Sequence, residues 1–352
     1  MNENSSIHIR SSLVFLFQHT RQFSIFLLVK VYAMFLESIM ASTNDSDVTL
    51  SDAARNTWSS WIILVILGSL TGDSIILIAS IKYKAFKFHK VIVTIIQHVA
   101  LCDLYSTSYT LVNVVSLITN SNINIYFCYM AFWTTYQGVI VSVNLICALS
   151  VSKLILLKFP LRSASWSGRL THRFCAVIWT VAHLLPALHI LVDKEGVSFD
   201  HRIHQCMYQY TSETGKLLLL VTTQLALLVP NLISNIATVL LLGEARKGAK
   251  KMNRGLRRQG LITVIITATI YTLSYLPFAI YCTVYLIDLI REETSGSPQF
   301  YIYYYRVASN LVYLNIITNF FVYTMTVKSF RHWLKTKLFN FEGIELLYFF
   351  IM

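Results

Sequence analysis

Seven long apolar segments, separated by polar stretches, restrict the fold of this chain more than any other feature. An α-helix rises about 1.5 Å per residue, so about 20 apolar residues cross the ~30 Å hydrocarbon core of a bilayer. Most of the seven segments reach that length, which predicts an all-α membrane protein with seven transmembrane helices. The segments are Trp61–Ile81, Val91–Thr119, Phe127–Phe159, Phe174–Val192, Lys216–Leu242, Gly260–Leu289 and Tyr305–Thr326.

The composition agrees with a membrane protein. The chain has 352 residues, 55% hydrophobic and 13% charged, and its mean hydropathy of +0.57 lies outside the range of soluble domains. A net charge of +12 could indicate nucleic-acid binding, but the basic residues alternate with apolar runs and form no basic domain. We therefore expect membrane lipids, and no nucleic acid, among its partners.

The charges of the connecting segments predict the orientation of the chain. Lysine and arginine are concentrated after the first, third and fifth apolar segments, within residues 82–90, 158–173 and 246–258. Because basic loops stay in the cytoplasm, the amino end should be extracellular and the carboxyl end cytoplasmic, as in a multi-pass protein of the plasma membrane.

The chain divides into three predicted regions. Residues 1–60 form an extracellular segment with a glycosylation sequon at Asn44, and its first 41 residues are a signal or anchor, or an extension of the gene model. Residues 61–326 form the helical bundle. Residues 327–352 form an amphipathic helix and a short cytoplasmic tail, because Phe330, Trp333 and Leu334 share one helical face.

Asp73 in the first apolar segment and Asp103 in the second are acidic residues that stand near the middle of their segments. An ionisable group at membrane depth is costly and usually functional. Ser142 and Asn144 lie on the middle turns of the third segment, where a polar side chain must find a partner on another helix. The third segment is therefore expected to be central, with neighbours on several sides.

A series of motifs follows along the segments. Cys128 begins the third, which ends in ALSVSKLILLKFPL, and single motifs mark the later ones: Trp179, Pro230, SYLP with Pro277, and LNIITNFFVY followed by SFR. In this order and at these depths they resemble the rhodopsin-like, or class A, G protein-coupled receptors, over residues 61–339. The chain looks like a divergent, orphan-type member. The resemblance implies a receptor that transduces binding of an extracellular ligand into signalling by a heterotrimeric G protein.

The resemblance also implies two structural sites. Cys128 and Cys206 match the family's disulfide between the third span and the second outer loop. Asp103 matches its sodium-binding aspartate, Asp73 stands where the family has asparagine, and further matching polar residues are Ser142, Asn315 and Asn319. Either Asp73 is protonated and donates a hydrogen bond, or the two carboxylates hold sodium more firmly than one would.

Residues implied in activation depart from the family pattern. Ser152-Lys153-Leu154 replaces Asp-Arg-Tyr, and Arg257 stands at a position on the sixth span that is commonly acidic, so the family's inhibitory ion pair is not expected. Asn319 and Tyr323 are kept without the proline that usually follows the asparagine, which should leave a stiffer helix end. Tyr275 replaces the usual toggle tryptophan, two residues before Pro277. We predict elevated basal signalling or weak coupling.

The implied ligand pocket is aromatic and rich in hydroxyl groups. Its residues are Thr135, Tyr136, Thr222, Thr223, Tyr275, Phe278 and Tyr313. Thr135 replaces the aspartate of amine receptors, and Tyr313 replaces the lysine that holds retinal in opsins, so neither an amine ligand nor a retinal cofactor is expected. A neutral small molecule, a lipid and a peptide remain open.

Other functional classes fit the sequence less well. Catalytic triads, zinc motifs and phosphate loops are missing, so we expect no enzyme. A transporter would be expected to show repeated halves. A seven-helix protein that no longer signals, and acts as a decoy or interaction partner, is the stronger alternative because residues 152, 153 and 320 depart from the family pattern.

Overall fold

A computed structural model describes residues 52–82, 89–119, 124–159, 166–192, 196–200, 205–208, 212–248, 256–291 and 298–337. Nine α-helices and one β-hairpin occupy these ranges. The helices are α1 Asp52–Ile81, α2 Lys90–Thr119, α3 Ile125–Lys158, α4 Gly168–Val192, α5 Glu213–Thr223, α6 Val229–Gly248, α7 Leu256–Arg291, α8 Pro298–Thr326 and α9 Lys328–Lys337. Asn44 lies outside the described residues.

The predicted spans correspond to the long helices. The fifth span consists of α5, a π-helical turn at Gln224–Leu228 and α6, while the other six spans are single helices. Six helical stretches of the described chain are long and apolar enough to cross a membrane, and α8 contributes a shorter apolar stretch, Leu311–Thr326. The prediction of a seven-helix membrane bundle is therefore confirmed, although α1 and α8 begin about two turns earlier than predicted.

Helix α3 lies at the centre of the bundle. It packs against α2, α4, α6 and α7 and touches the β-hairpin. Its first turn is capped by Asn124, whose side chain accepts a hydrogen bond of 3.0 Å from the backbone N–H of Tyr126. Buried residues lie all around its middle turns, from Gln137 to Ile146, so α3 presents little surface to lipid. The predicted central position is confirmed.

One end of the bundle carries a short antiparallel hairpin, β1 Val197–Asp200 and β2 Gln205–Tyr208. No strand was predicted from the sequence. Cys206 lies on β2, opposite Phe199, and forms a disulfide with Cys128 near the start of α3. The predicted disulfide is thus present, and it ties the hairpin to the central helix.

The opposite end carries α9, the predicted amphipathic helix. Phe330 and Leu334 are buried against the bundle, and the ring of Phe330 stacks on Trp333 with centroids 6.0 Å apart. Lys328 and Lys335 are exposed. An apolar face beside the bundle and a basic face outside suit a helix that lies along the membrane surface.

Asn144 supplies the interhelical bond that its position in α3 requires. Pro230 has no N–H, so the carbonyl of Ala226, four residues earlier, cannot receive its normal helical hydrogen bond. The side-chain nitrogen of Asn144 donates to that carbonyl at 3.3 Å and to the carbonyl of Ile140 at 2.8 Å. A side chain of the third span therefore stabilises the break that proline makes in the fifth.

Replacing Asn144 with alanine should lower stability by about 1 kcal/mol, because a carbonyl at membrane depth loses its donor. Thermal unfolding of the purified chain measures this loss. A Pro230→Ala background restores the backbone N–H and should remove most of the effect of Asn144→Ala. Equal losses in both backgrounds would contradict the pairing of Asn144 with the proline break.

Candidate functional site

A polar core at mid-membrane depth joins three spans through Asp103. Asn319 of α8 donates its side-chain amide to one carboxylate oxygen of Asp103 at 2.7 Å. Ser142 of α3 lies 3.5 Å from the other oxygen, as a longer and weaker hydrogen bond. All three side chains are buried, with exposed fractions of 2 to 3%. Hydrogen bonds to the Asp103 carboxylate therefore join three of the five residues predicted for this site.

Asp73 belongs to the same network through two hydroxyl groups. Ser69 donates to a carboxylate oxygen of Asp73 at 2.8 Å, and Thr107 donates to the Ser69 hydroxyl at 2.8 Å. The Thr107 hydroxyl also lies 2.7 Å from the backbone carbonyl of Asp103. Because Thr107 has one hydroxyl hydrogen, it donates either to Ser69 or to the Asp103 carbonyl at any moment, and its side chain connects the surroundings of the two carboxylates.

Ser69 and Thr107 were missed in the sequence. Each stands four residues from an aspartate, Ser69 before Asp73 and Thr107 after Asp103, so each shares a helical face with its carboxylate. That spacing was the available signal. The contact between Ser69 and Thr107 depends on how α1 packs against α2, and no sequence pattern gives it.

The two carboxylates leave part of the polar core unsatisfied. The second carboxylate oxygen of Asp73 is buried and has no hydrogen-bond partner among the described residues, and the two groups interact electrostatically. Two buried carboxylates of like charge need a proton or a cation between them. Asn315 is also buried, yet among the described side chains it bonds to neither carboxylate.

The half of the bundle that is nearer to the hairpin contains a second polar cluster. The hydroxyl of Tyr136 on α3 lies 2.9 Å from the hydroxyl of Thr222 on α5 and 3.3 Å from Nε2 of His189 on α4. Nε2 of His189 is also 3.1 Å from the Thr222 hydroxyl. Tyr136 and Thr222 were predicted to line the pocket, whereas His189 was missed. A histidine inside an apolar span was the signal.

The remaining predicted pocket residues have different surroundings. Tyr275 is buried and stacks on Tyr271 with ring centroids 4.2 Å apart. Phe278 and Tyr313 are half-buried, and Thr135 is exposed. The side chain of Thr223 lies outside the described residues. The pocket itself stays a prediction.

Basic residues lie at the end of α3 that is opposite to the disulfide. Ser152, Lys153 and Leu154 are half-buried there, and Tyr323 of α8 is buried. Burial, together with the charges of Lys153 and Lys90, lowers the pKa of His89 from its ordinary value. Lys153 therefore lies close enough to His89, at the start of the second span, to influence its charge. Arg257 is helical, but its side chain lies outside the described residues.

The chain matches the family described as 7 transmembrane receptor (rhodopsin family) over residues 72–323. This match covers the bundle from the polar core of α1 to Tyr323. The chain belongs to the rhodopsin family of seven-transmembrane receptors. A search of curated protein sequences found no significant match. Family membership points to a receptor that acts with extracellular ligands and G proteins in general, rather than to an enzyme.

One departure of this receptor from the usual pattern alters its packing. Phe320 takes the place of the proline in the family motif. Its side chain lies against Gly72, the residue before Asp73. A Cβ atom on Gly72 would come within 2.8 Å of the Cβ of Phe320. Helices α1 and α8 therefore meet at a point where only glycine fits.

Replacing Gly72 with alanine should destabilise the receptor by about 1 to 3 kcal/mol, because the backbones must separate. Gly68→Ala is the matched control on the same helix. Its new Cβ would meet Ile317 at 3.4 Å, an ordinary contact. Thermal unfolding of both variants gives the comparison, and equal stability would contradict the close approach at Gly72.

Proposed function

We propose that this receptor converts binding of an extracellular ligand into activation of a heterotrimeric G protein at its inner end. The polar core carries the proposal, because Asp103, Ser142 and Asn319 link the second, third and seventh spans at mid-membrane depth. A buried network that joins three helices couples their positions, so that a change at the outer end can alter the inner end.

The proposed orientation rests on two independent features. The disulfide of Cys128 lies at one end of α3, and Lys153 and Lys158 lie at the other. Disulfides persist outside the cytosol, and basic residues remain inside it. Both features support an arrangement with the hairpin outside and α9 inside the cell, as expected for a plasma-membrane receptor. Glycosylation at Asn44 would suit this orientation.

We propose that the ligand is a neutral molecule. The predicted pocket residues whose side chains the structure describes are tyrosine, threonine and phenylalanine. They offer aromatic surface and hydroxyl groups without charge. Tyr136 and Thr222 already bond to each other and to His189. A ligand that contacts them would exchange these bonds for its own, which changes how spans three, four and five are tied together.

A sodium ion would suit the polar core. The carboxylate of Asp103, the hydroxyl of Ser142 and the unpartnered oxygen of Asp73 are the oxygen groups that a hard cation prefers. Such an ion would supply positive charge between two carboxylates that repel each other. The alternative is a proton on Asp73, which would neutralise one of the pair.

A sodium titration of thermal stability tests the ion. In buffers of constant ionic strength that exchange choline for sodium, the receptor should gain about 1.4 kcal/mol at a sodium concentration ten times the dissociation constant. Asp103→Asn should abolish this gain. Asp73→Asn should stabilise the sodium-free receptor, because it removes one of two like charges, and should also reduce the gain. Ser108→Ala, an exposed hydroxyl on the same helix as Asp103, is the control.

The sodium proposal fails if Asp103→Asn responds to sodium like the unchanged receptor. If Asp73→Asn alone leaves the response unchanged, Asp73 carries the proton and the ion depends on Asp103.

We also propose that this receptor signals without ligand. Lys153 and Arg257 carry the same charge, so they cannot form the inhibitory ion pair of the family. A seven-helix protein that no longer signals is the second candidate, because Lys153 cannot form the paired, planar hydrogen bonds that arginine would give to a G protein.

Measuring a second messenger in ligand-free cells, per receptor at the surface, separates the two candidates. Cells that express the receptor should produce more second messenger than untransfected cells. Lys153→Arg should raise this output about threefold or more by adding charge-assisted hydrogen bonds. Lys158→Arg, the same change at the exposed end of α3, should leave it unaltered. Output equal to untransfected cells for both the receptor and Lys153→Arg would favour the non-signalling protein.

A further inference from the structure

The inner ends of the sixth and seventh spans are joined by two hydroxyl groups. Thr263 of α7 donates to the hydroxyl of Thr326 at the end of α8, at 2.8 Å. Thr326 in turn donates to the carbonyl of Val322 on its own helix, at 2.6 Å. Both side chains are buried, with exposed fractions of 2% and 7%. The two hydroxyl groups therefore form one directed chain of hydrogen bonds.

Similar bonds connect the neighbouring spans. The hydroxyl groups of Ser150 on α3 and Ser234 on α6 lie 3.0 Å apart, and both are buried. Nearer the middle of the bundle, the Thr272 hydroxyl of α7 lies 2.8 Å from the side-chain oxygen of Asn235 and 3.2 Å from that of Asn231. From the middle of the membrane to its inner face, neutral hydrogen bonds thus link spans three, five, six and seven.

These bonds stand where a charged contact is not expected. Lys153 and Arg257, both positive, cannot attract each other across the inner ends of spans three and six. A hydroxyl pair that is bonded across two helices in the closed bundle loses that interhelical hydrogen bond when the helices separate. Each pair therefore favours the closed arrangement.

We propose that Thr263 and Thr326 form a neutral latch that holds the inner end of the sixth span closed and sets how often it opens without ligand. The latch rests on the proposed signalling function for its purpose, but its mechanics do not depend on a G protein. Pro277, at mid-helix in α7, removes a backbone hydrogen bond and provides a joint about which the inner part of the helix can swing. Thr263 lies on the inner side of that joint.

Breaking one interhelical hydrogen bond in a membrane protein shifts an equilibrium about threefold on average and about tenfold in strong cases. Thr263→Val and Thr326→Val each remove the bond while nearly keeping the shape of the side chain. We expect each to increase the open population by about three to ten times. Because both act through the same bond, the double variant should add little to either single change.

Spin labels measure the opening directly on the full chain in lipid nanodiscs. One label is placed at Phe159, which is exposed at the inner end of α3, and the other at Leu256, the first residue of α7. The chain without the two label sites, treated with the same spin label, corrects for labelling of the native cysteines. We expect the distance distribution of Thr263→Val and Thr326→Val to gain a longer component relative to the parent.

Two variants serve as matched controls. Thr324 is buried like Thr326 on the same helix, and Thr269 lies on the same helix as Thr263. Among the described residues, the hydroxyl groups of Thr324 and Thr269 bond only to a carbonyl of their own helix, at 2.8 and 2.9 Å. Thr324→Val and Thr269→Val therefore remove a hydroxyl without an interhelical bond. They should leave the distances unchanged.

Each outcome decides between the latch and its alternatives. Unchanged distances in both single variants, effects equal to those of the controls, or additive effects in the double variant would overturn the latch. If one single variant does not fold, the other tests the same bond. Ligand-free second messenger is measured in parallel and should rise about three to ten times. Longer distances without any messenger would support the latch and count against the proposed G protein signalling.

Discussion

The absence of water at membrane depth is the constraint on which this structure depends, because every polar group must then find its partner inside the bundle. Hydrogen bonds between helices meet this requirement. Asn144 satisfies a carbonyl that Pro230 leaves without a donor, and Thr107 connects the surroundings of Asp73 and Asp103. These contacts run between helices, so the same requirement that allows the chain to enter a membrane also couples its spans.

Charge follows a different logic at the two ends and in the middle. At the inner end, lysine and arginine meet lipid headgroups and, as proposed, a G protein, where positive charge is readily solvated. In the middle, two carboxylates share a network of neutral donors, and one carboxylate oxygen of Asp73 has no partner among the described residues. Excess negative charge in the core is the strongest structural argument for a bound cation or proton there.

The departures from the family pattern change the contacts that hold the helices together. A phenylalanine at position 320 fills space beside Gly72, so that helices α1 and α8 approach closely where other members carry proline. Residues 153 and 257 are both basic and cannot form an ion pair. Instead, one hydroxyl pair joins the third span to the fifth, and another joins the sixth span to the seventh. Neutral bonds are weaker than charged ones, which agrees with the signalling without ligand that we propose.

The seven spans, the amphipathic helix after them and the polar residues that could not face lipid were all predictable from the amino-acid sequence. Those properties follow from hydrophobic length and from helical spacing, which are local. The sequence also indicated the pairing of Cys128 with Cys206 and the meeting of Asp103 with Asn319, but only through the resemblance to a family.

Which polar groups meet depends on how the helices pack in the tertiary structure. Ser69 reaches Thr107, Tyr136 reaches His189, and Thr263 reaches Thr326, in each case from a different helix. Threonine and serine are common in membrane helices, and most of them simply bond to their own backbone, as Thr324 does. Which of them pairs across helices depends on the rotation and depth of two helices at once, and no local pattern contains that information.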